Sequence, residues 1–483
     1  MMRTEAMLLL LALPSVALAG TPSLLSPVEP RENGLLAADR AHTSLNVGAH
    51  VGDDENMDEK LEYYAPGPGP LRISTISVDG NDLQRAVFVD SPSPTFSWEL
   101  DCRPEGAPDD AASTACPRGT EQASHRLQIS SARTKILVVD SGVINSPVPS
   151  LALRQGLKFL KASTRYTFEL SVWTSHDKSR PSRTRAAHAT ARGQFHTALF
   201  SPSEWSAEWI SGGTMLRSSP FSARNNTMVS ASLLASGVGC FSLTINGQNV
   251  DTAYPTSRMD PGFSTAPRSR LLYRAYDVLP LLNGSDDSSG NGSNKTAAFF
   301  VVGVRLGFCK YGFLYNECEG AHATHAKCRA VSLQLTMTYS DGSKQTVQTN
   351  TNADSSSGDV AWTATTTANP TRYTHLYHGE IFDARLEQPG WDTFATAADT
   401  AQTATAWQPA IAYPNPEKSR LDVLSLHKFP PIGVAAVVAP VKSWMVAANV
   451  SRDNTSARLL RRVFDFGNNY AGVVSISCPS VPS

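Results

Sequence analysis

Two stretches of this sequence bring chemistry-bearing side chains close together. The first holds Glu380, Asp383 and Glu387 around Arg385. Acid–base hydrolysis needs two carboxylates on facing walls of a cleft, one to give a proton and one to activate water. Three carboxylates on one short segment beside a guanidinium fit a structural network better. Arg385 can take a carboxylate bidentately and pin the segment between two β units. The second stretch is Cys318-x3-His322-x2-His325-x2-Cys328. These are zinc-ligand types, but the spacing matches no common finger. In an oxidising compartment a disulfide loop with solvated histidines is favoured over zinc, so no firm metal site is assigned. There is no G-x-S-x-G elbow, no H-E-x-x-H and no G-x-x-x-x-G-K-[ST]. No catalytic residue is assigned to this chain.

The elements that must position these residues are strands. Phe96–Leu100, His125–Ile129 and Tyr166–Trp173 alternate apolar and polar residues, and Ile136–Val139 and Gly193–Thr197 flank them. Period two buries one face of each strand. That series makes residues 71–200 a β-sandwich of fibronectin or immunoglobulin type. A second unit, residues 203–370, includes Met228–Ala235, Cys240–Ile245, Ala298–Val304 and Val331–Tyr339. Asn246-Gly247 and Asp341-Gly342 are hairpin turns, because these residues tolerate positive φ. Long returning loops make this unit a jelly roll. Residues 371–429 lack regular pattern and read as a linker. A third β unit begins at residue 430, with Val434–Val438, Arg462–Phe466 and Gly472–Ser477 as its strands. Only about 50 residues of it precede Ser483, so it is expected to be truncated. The fold class is all-β.

Composition narrows the partners. The chain has 483 residues, with 42 Lys plus Arg against 43 Asp plus Glu. A net charge of −1 argues against nucleic acid or an anionic membrane surface. No apolar run is long enough to span a bilayer. Arg3, the apolar Ala6–Leu13 and the A-x-A site Ala17-Leu18-Ala19 read as a signal peptide over residues 1–19. Secretion is the expected localisation. Residues 20–70 end in Pro66-Gly67-Pro68-Gly69-Pro70 and read as a flexible linker. In that compartment Cys102 should pair with Cys116, and two of Cys309, Cys318 and Cys328 with each other. Seven cysteines leave at least one thiol over. Six Asn-x-Ser/Thr acceptors follow: Asn225, Asn283, Asn291, Asn294, Asn449 and Asn454.

A run of motifs resembles the bacterial-type α-L-rhamnosidases. Trp205-Ser206-Ala207-Glu208-Trp209-Ile210 is similar to the family's W-x-A-x-W-I. Gly237–Phe241 with Ile245–Val250 resembles its G-x-G-x-Y/F hairpin. Asp260–Phe263 with Leu272–Val278 resembles P-G-[WF]-T…L-Y-x-x-Y-D-V. Tyr377–Glu387 with Pro389-Gly390-Trp391 is close to Y-x-G-E-x-Y-D-A-R-x-E…G-W. Pro430-Pro431-Ile432 and Phe464–Asn469 look like the opening of the next, concanavalin-like β domain. The resemblance implies a secreted glycoside hydrolase that removes terminal α-L-rhamnose from glycosides and polysaccharides. It also implies that the inverting acidic residues sit in a C-terminal (α/α)₆ barrel, which this chain lacks. The chain alone is then expected to be inactive, an N-terminal non-catalytic portion of the enzyme. The alternative is a stand-alone secreted module that recognises rhamnose without hydrolysing it.

The resemblance also bears on binding, since some family members hold rhamnose on the jelly roll through calcium. Here Asn246, Asp251, Tyr254 and Asp260 lie on or after the Asn246-Gly247 hairpin. Oxygen ligands and a stacking ring would suit a sugar. The plainer reading is that Asn246 serves its turn and Asp260 starts the next one. No cofactor is expected apart from calcium at such a site. Rhamnose-containing glycans are the expected partners.

Overall fold

A computed structural model describes residues 5–8, 71–83, 86–101, 121–153, 160–174, 188–238, 240–251, 271–283, 299–307, 330–351, 360–375, 379–394, 407–413, 424–428, 436–452, 455–470, 472 and 474–477. These are almost all strand, with one short α-helix, Leu279–Asn283. Glu5–Leu8 pairs antiparallel with Val474–Ser477. No helix among the described residues is long and apolar enough to cross a membrane.

The first sandwich packs two sheets. One runs Phe88–Val89, His188–Thr197, Thr164–Thr174, Gln122–Ser131 and Leu137–Asp140; the other runs Asn81–Asp82, Arg72–Val78, Thr95–Asp101 and Ser150–Ala152. Thr164–Thr174 alternates strictly, burying Tyr166, Phe168, Leu170 and Val172. Between the sheets Phe96 meets Phe168 and Phe195 edge-on, with centroids 5.3 and 5.6 Å away, the offset geometry aromatic quadrupoles favour. Three buried polar side chains form a small network. Trp98 Nε1 donates to Gln122 Oε1 at 2.8 Å, and Gln122 Nε2 lies 3.2 Å from His125 Nδ1.

The second sandwich has longer strands. Its first sheet runs Ile411–Ala412, Ile210–Ser211, Ala330–Tyr339, Met228–Val238, Leu271–Asp277 and Leu424–Leu426. Its second runs Gln248–Asn249, Cys240–Ile245, Val302–Gly307, Met215–Ser218, Trp362–Thr365 and Gln408–Pro409. Phe241, Leu243, Val302, Val304, Val331, Leu333, Leu335 and Met337 fill the space between them. Ala330–Tyr339 is buried on both faces. On its outer face Ser332 Oγ accepts from Trp205 Nε1 at 2.9 Å and donates to the Ala207 carbonyl at 3.1 Å. The W-x-A-x-W-I motif thus straps that sheet, and Trp209 is buried beneath it.

Residues 371–429, read from the sequence as a linker, contribute strands. Thr371–His375 pairs with Gly379–Phe382 as a hairpin. Gln408–Pro409 and Ile411–Ala412 each extend one sheet of the second sandwich, and Leu424–Leu426 lies parallel to Leu271–Asp277. In the third unit the expected strands Arg462–Phe466 and Gly472–Ser477 fall on Thr455–Asp465 and Val474–Ser477, and Val434–Val438 departs from expectation. Residues 436–440 carry no strand; a ribbon of Lys442–Arg452 and Thr455–Asp465 follows instead. Regular backbone begins only where a partner for its hydrogen bonds begins.

Candidate functional site

Asn246 and Gly247 form a two-residue turn, with φ of 48° and 77°. They join Cys240–Ile245 to Gln248–Asn249, with Ile245 opposite Gln248. Positive φ at both positions selects this Asn-Gly pair. The Asn246 side chain then fastens the neighbouring strand. Its Nδ2 donates to the Phe299 carbonyl at 3.0 Å, and its Oδ1 accepts from Val301 N at 2.8 Å. Asn249 Oδ1 in turn accepts from Asp251 N at 3.2 Å. Calcium takes six to eight oxygen ligands. The described part of the expected sugar or calcium set offers an amide already committed to backbone and one further carboxylate. Tyr254 and Asp260 lie outside the described residues.

The family-like signature docks on the outer face of the second sheet. Trp391 stacks on Trp407 with centroids 6.0 Å apart and planes at 12°. The Arg217 guanidinium sits 4.5 Å from the Trp407 ring, and that of Arg305 sits 5.3 Å from Trp391. Arg217 also donates to the Trp391 carbonyl at 3.1 Å. Asp392, beside them, accepts from Thr244 Oγ1 at 2.6 Å. The two indoles are 7% and 6% exposed, so their faces are spent on this packing rather than offered to a sugar.

The carboxylate cluster is not a cleft. Arg385 pairs bidentately with Asp383, two residues away, at 2.8 and 2.6 Å. The guanidinium holds the Asp383 carboxyl down at about 2. The Arg385 side chain is 87% exposed, so this fork closes a local turn and does not pin two β units. Glu387 caps the short turn Ala384–Leu386 through its backbone N–H. Only the main chain of Glu380 is described.

The feature the sequence reading missed is a buried seam between the two sandwiches. Phe88, Ala198 and Leu199 from the first meet Trp209, Leu234, Tyr273 and Ala330 from the second, and Leu424 and Leu426 of the returning strand close over them. Polar groups are matched across it. His196 Nε2 lies 3.4 Å from Asp277 Oδ2, and its ring stacks on Phe88 at 4.7 Å. Lys428 Nζ meets Asp90 Oδ1 at 2.6 Å, and the Tyr273 hydroxyl accepts from Leu199 N at 3.3 Å. Burial would push the Asp277 carboxyl up, but the hydrogen bond and charge of His196, with Arg165 nearby, hold it below the ordinary value. Tyr273 and Asp277 both fall in the L-Y-x-x-Y-D-V run, which was the available signal. A pocket of about 70 Å³ lies along the seam beside Asp90, Ser201, Tyr273 and Ser425. Ligand pockets run to several hundred Å³, and the one carboxylate lining this one is the ion-pair partner of Lys428.

Among the other candidate residues, Asn225 lies on an exposed turn and Asn283 is the exposed last residue of the helix. The main chain of Asn449 lies in a paired strand. Cys102, Cys116, Cys309, His322, His325, Cys318, Cys328, Asn291, Asn294 and Asn454 lie outside the described residues.

Comparison with known proteins follows this architecture. A model of the Rha78A-like N-terminal immunoglobulin domain matches residues 75–192, and one of the α-L-rhamnosidase N-terminal domain matches residues 226–422. An α-L-rhamnosidase of Alteromonas sp. (strain LOR) is 23% identical over 410 residues, covering 80% of this chain and 36% of the relative. One of Formosa agariphila is 26% identical over 251 residues, 49% of this chain and 23% of the relative. The chain thus spans roughly a quarter to a third of the length of these curated relatives. The solved α-L-rhamnosidase of Dictyoglumus thermophilum shares the fold with a TM-score of 0.55 at 19% identity, over 85% of this chain and 39% of that one. That of Aspergillus terreus does so with a TM-score of 0.52 at 18% identity, over 84% and 45%. From residue 75 to residue 422 the chain is an N-terminal region of the α-L-rhamnosidase family.

Proposed function

We propose that these β units are the non-catalytic N-terminal modules of a secreted α-L-rhamnosidase, acting on rhamnose-containing glycans or glycosides. The observation that carries this reading is the pairing of two N-terminal family domains through a buried apolar seam. Such a seam makes a stiff support, which suits a module that holds other parts of an enzyme in place. The carboxylates describe the same role. Inverting cleavage needs two of them about 6.5–9.5 Å apart with room for water between. Here Asp277 faces His196, Asp90 faces Lys428, Asp383 faces Arg385 and Asp392 faces Thr244. Each is tied to a structural partner. That these four are so engaged supports a reading in which the acid and base of the reaction lie elsewhere.

The test is turnover. The purified chain, offered p-nitrophenyl α-L-rhamnoside, should release no nitrophenol above the buffer rate. Steady release that copurifies with the chain would place a working acid–base pair within it and overturn the reading.

A further inference from the structure

We infer that Asn225 is an attachment site for an N-linked oligosaccharide. The sequence Asn225-Asn226-Thr227 supplies the acceptor amide and the hydroxyl two residues on. Five other acceptors share that pattern, so sequence alone does not distinguish this one. Position does. Arg224, Asn225, Asn226 and Thr227 are all exposed, in the turn between Phe221–Ser222 and Met228–Val238. The ladder resumes only at Met228, opposite Tyr339. Asn225 and Thr227 are therefore both outside a strand and both open to solvent.

The residues around Asn225 are held, which presents its side chain. Arg224 N donates to the Tyr339 hydroxyl at 3.0 Å, and the Arg224 guanidinium lies 5.9 Å from that ring. Asn226 Nδ2 donates to Asp341 Oδ2 at 2.7 Å. The Thr227 carbonyl accepts from Ser340 N at 2.9 Å. A large, solvated substituent on Asn225 would project from a fixed turn without entering the core or the seam. Asn449 differs: its backbone sits mid-ladder, opposite Arg458.

The reaction is transfer from a lipid diphosphate-linked oligosaccharide. The Asn225 Nδ2 attacks the anomeric carbon, and the new N–C bond replaces the C–O bond to the diphosphate. One amide proton is lost to solvent, and the lipid diphosphate leaves as the anion. The inference takes its compartment from the secretion reading, and the experiment separates the two.

The full chain is translated with endoplasmic-reticulum microsomes in two versions. One keeps its own first 19 residues; the other has them replaced by a heterologous leader. Protease-protected chain is treated with peptide-N-glycosidase F in ¹⁸O water, and its peptides are weighed. The expected result is that most of the peptide containing Asn225 carries ¹⁸O-labelled aspartate. Asn225→Gln should lose the mass of one glycan, and Thr227→Ser should keep it. A peptide with Asn225 intact in protected chain overturns the site. If only the heterologous leader gives protected chain, the secretion reading fails while Asn225 occupancy still decides this proposal.

Discussion

His196 and Asp277 meet 3.4 Å apart inside the seam, one from each sandwich. The histidine is 3% exposed and the aspartate side chain 16%. Removing one partner of a buried pair leaves the other uncompensated. Asp277→Asn should destabilise the chain by about 2 kcal/mol at pH 7, read by chemical denaturation. The Asp277 carboxyl titrates below its ordinary value in the folded chain. Its contribution is therefore present above the unfolded carboxylate pKa and is lost as pH falls through the folded one. At pH 3 the gap between Asp277→Asn and the parent chain should narrow. An equal gap at both pH values would show that the pair carries no charge-linked stability.

His125 gives the opposite kind of buried histidine. It is 1% exposed, stands edge-on to Trp98, and its Nε2 has no partner among the described residues. Burial lowers its pKa from 6.5. The unfolded chain then takes up this proton more readily, so stability falls as pH drops below 6.5. His125→Phe should flatten the stability profile between pH 6.5 and its acid limb. An unchanged slope would show that His125 does not contribute to it.

Much of this architecture is legible in the sequence, and the reason is local. Thr164–Thr174 alternates over its whole length, and Asn246-Gly247 fixes a turn by φ alone. The second sandwich's returning strands are not legible, because Gln408–Pro409 and Ile411–Ala412 are two residues each and too short to show a period. The seam is hidden for a different cause. His196 ends one strand series and Asp277 ends a strand of another, and no local pattern says they meet. Arg385 was read as a bridge between units because bidentate chemistry was visible; that its partner is Asp383 on the same turn was not.

Gly303 marks where the Trp391 segment lies against the sheet. A methyl group there would come within 2.5 Å of Thr244 Oγ1, 2.6 Å of Asp392 Cβ and 2.9 Å of the Trp391 ring. Gly303→Ala should cost about 1–3 kcal/mol and change the near-ultraviolet dichroism of the stacked indoles. A stable variant with an unaltered spectrum would mean that Trp391 does not dock as described.

Asn246 is expected to act through the fold. Asn246→Ala strands the Val301 N–H and replaces asparagine, which tolerates positive φ, with a residue that does not, and should destabilise by about 2 kcal/mol. Asn246→Gly keeps the turn conformation and should cost less. Isothermal titration with L-rhamnose should give the same heat for both variants as for the parent chain. A specific loss of heat in a folded Asn246→Gly chain would assign Asn246 to a sugar site.

The central claim is that the two sandwiches move as one support. Spin labels carried by noncanonical residues at Thr134 of the first sandwich and Gln248 of the second, both exposed, report it through pulsed dipolar spectroscopy. The seam requires one narrow distance distribution. A broad or two-peaked distribution would show that the sandwiches swing independently, and the support role would fall with it.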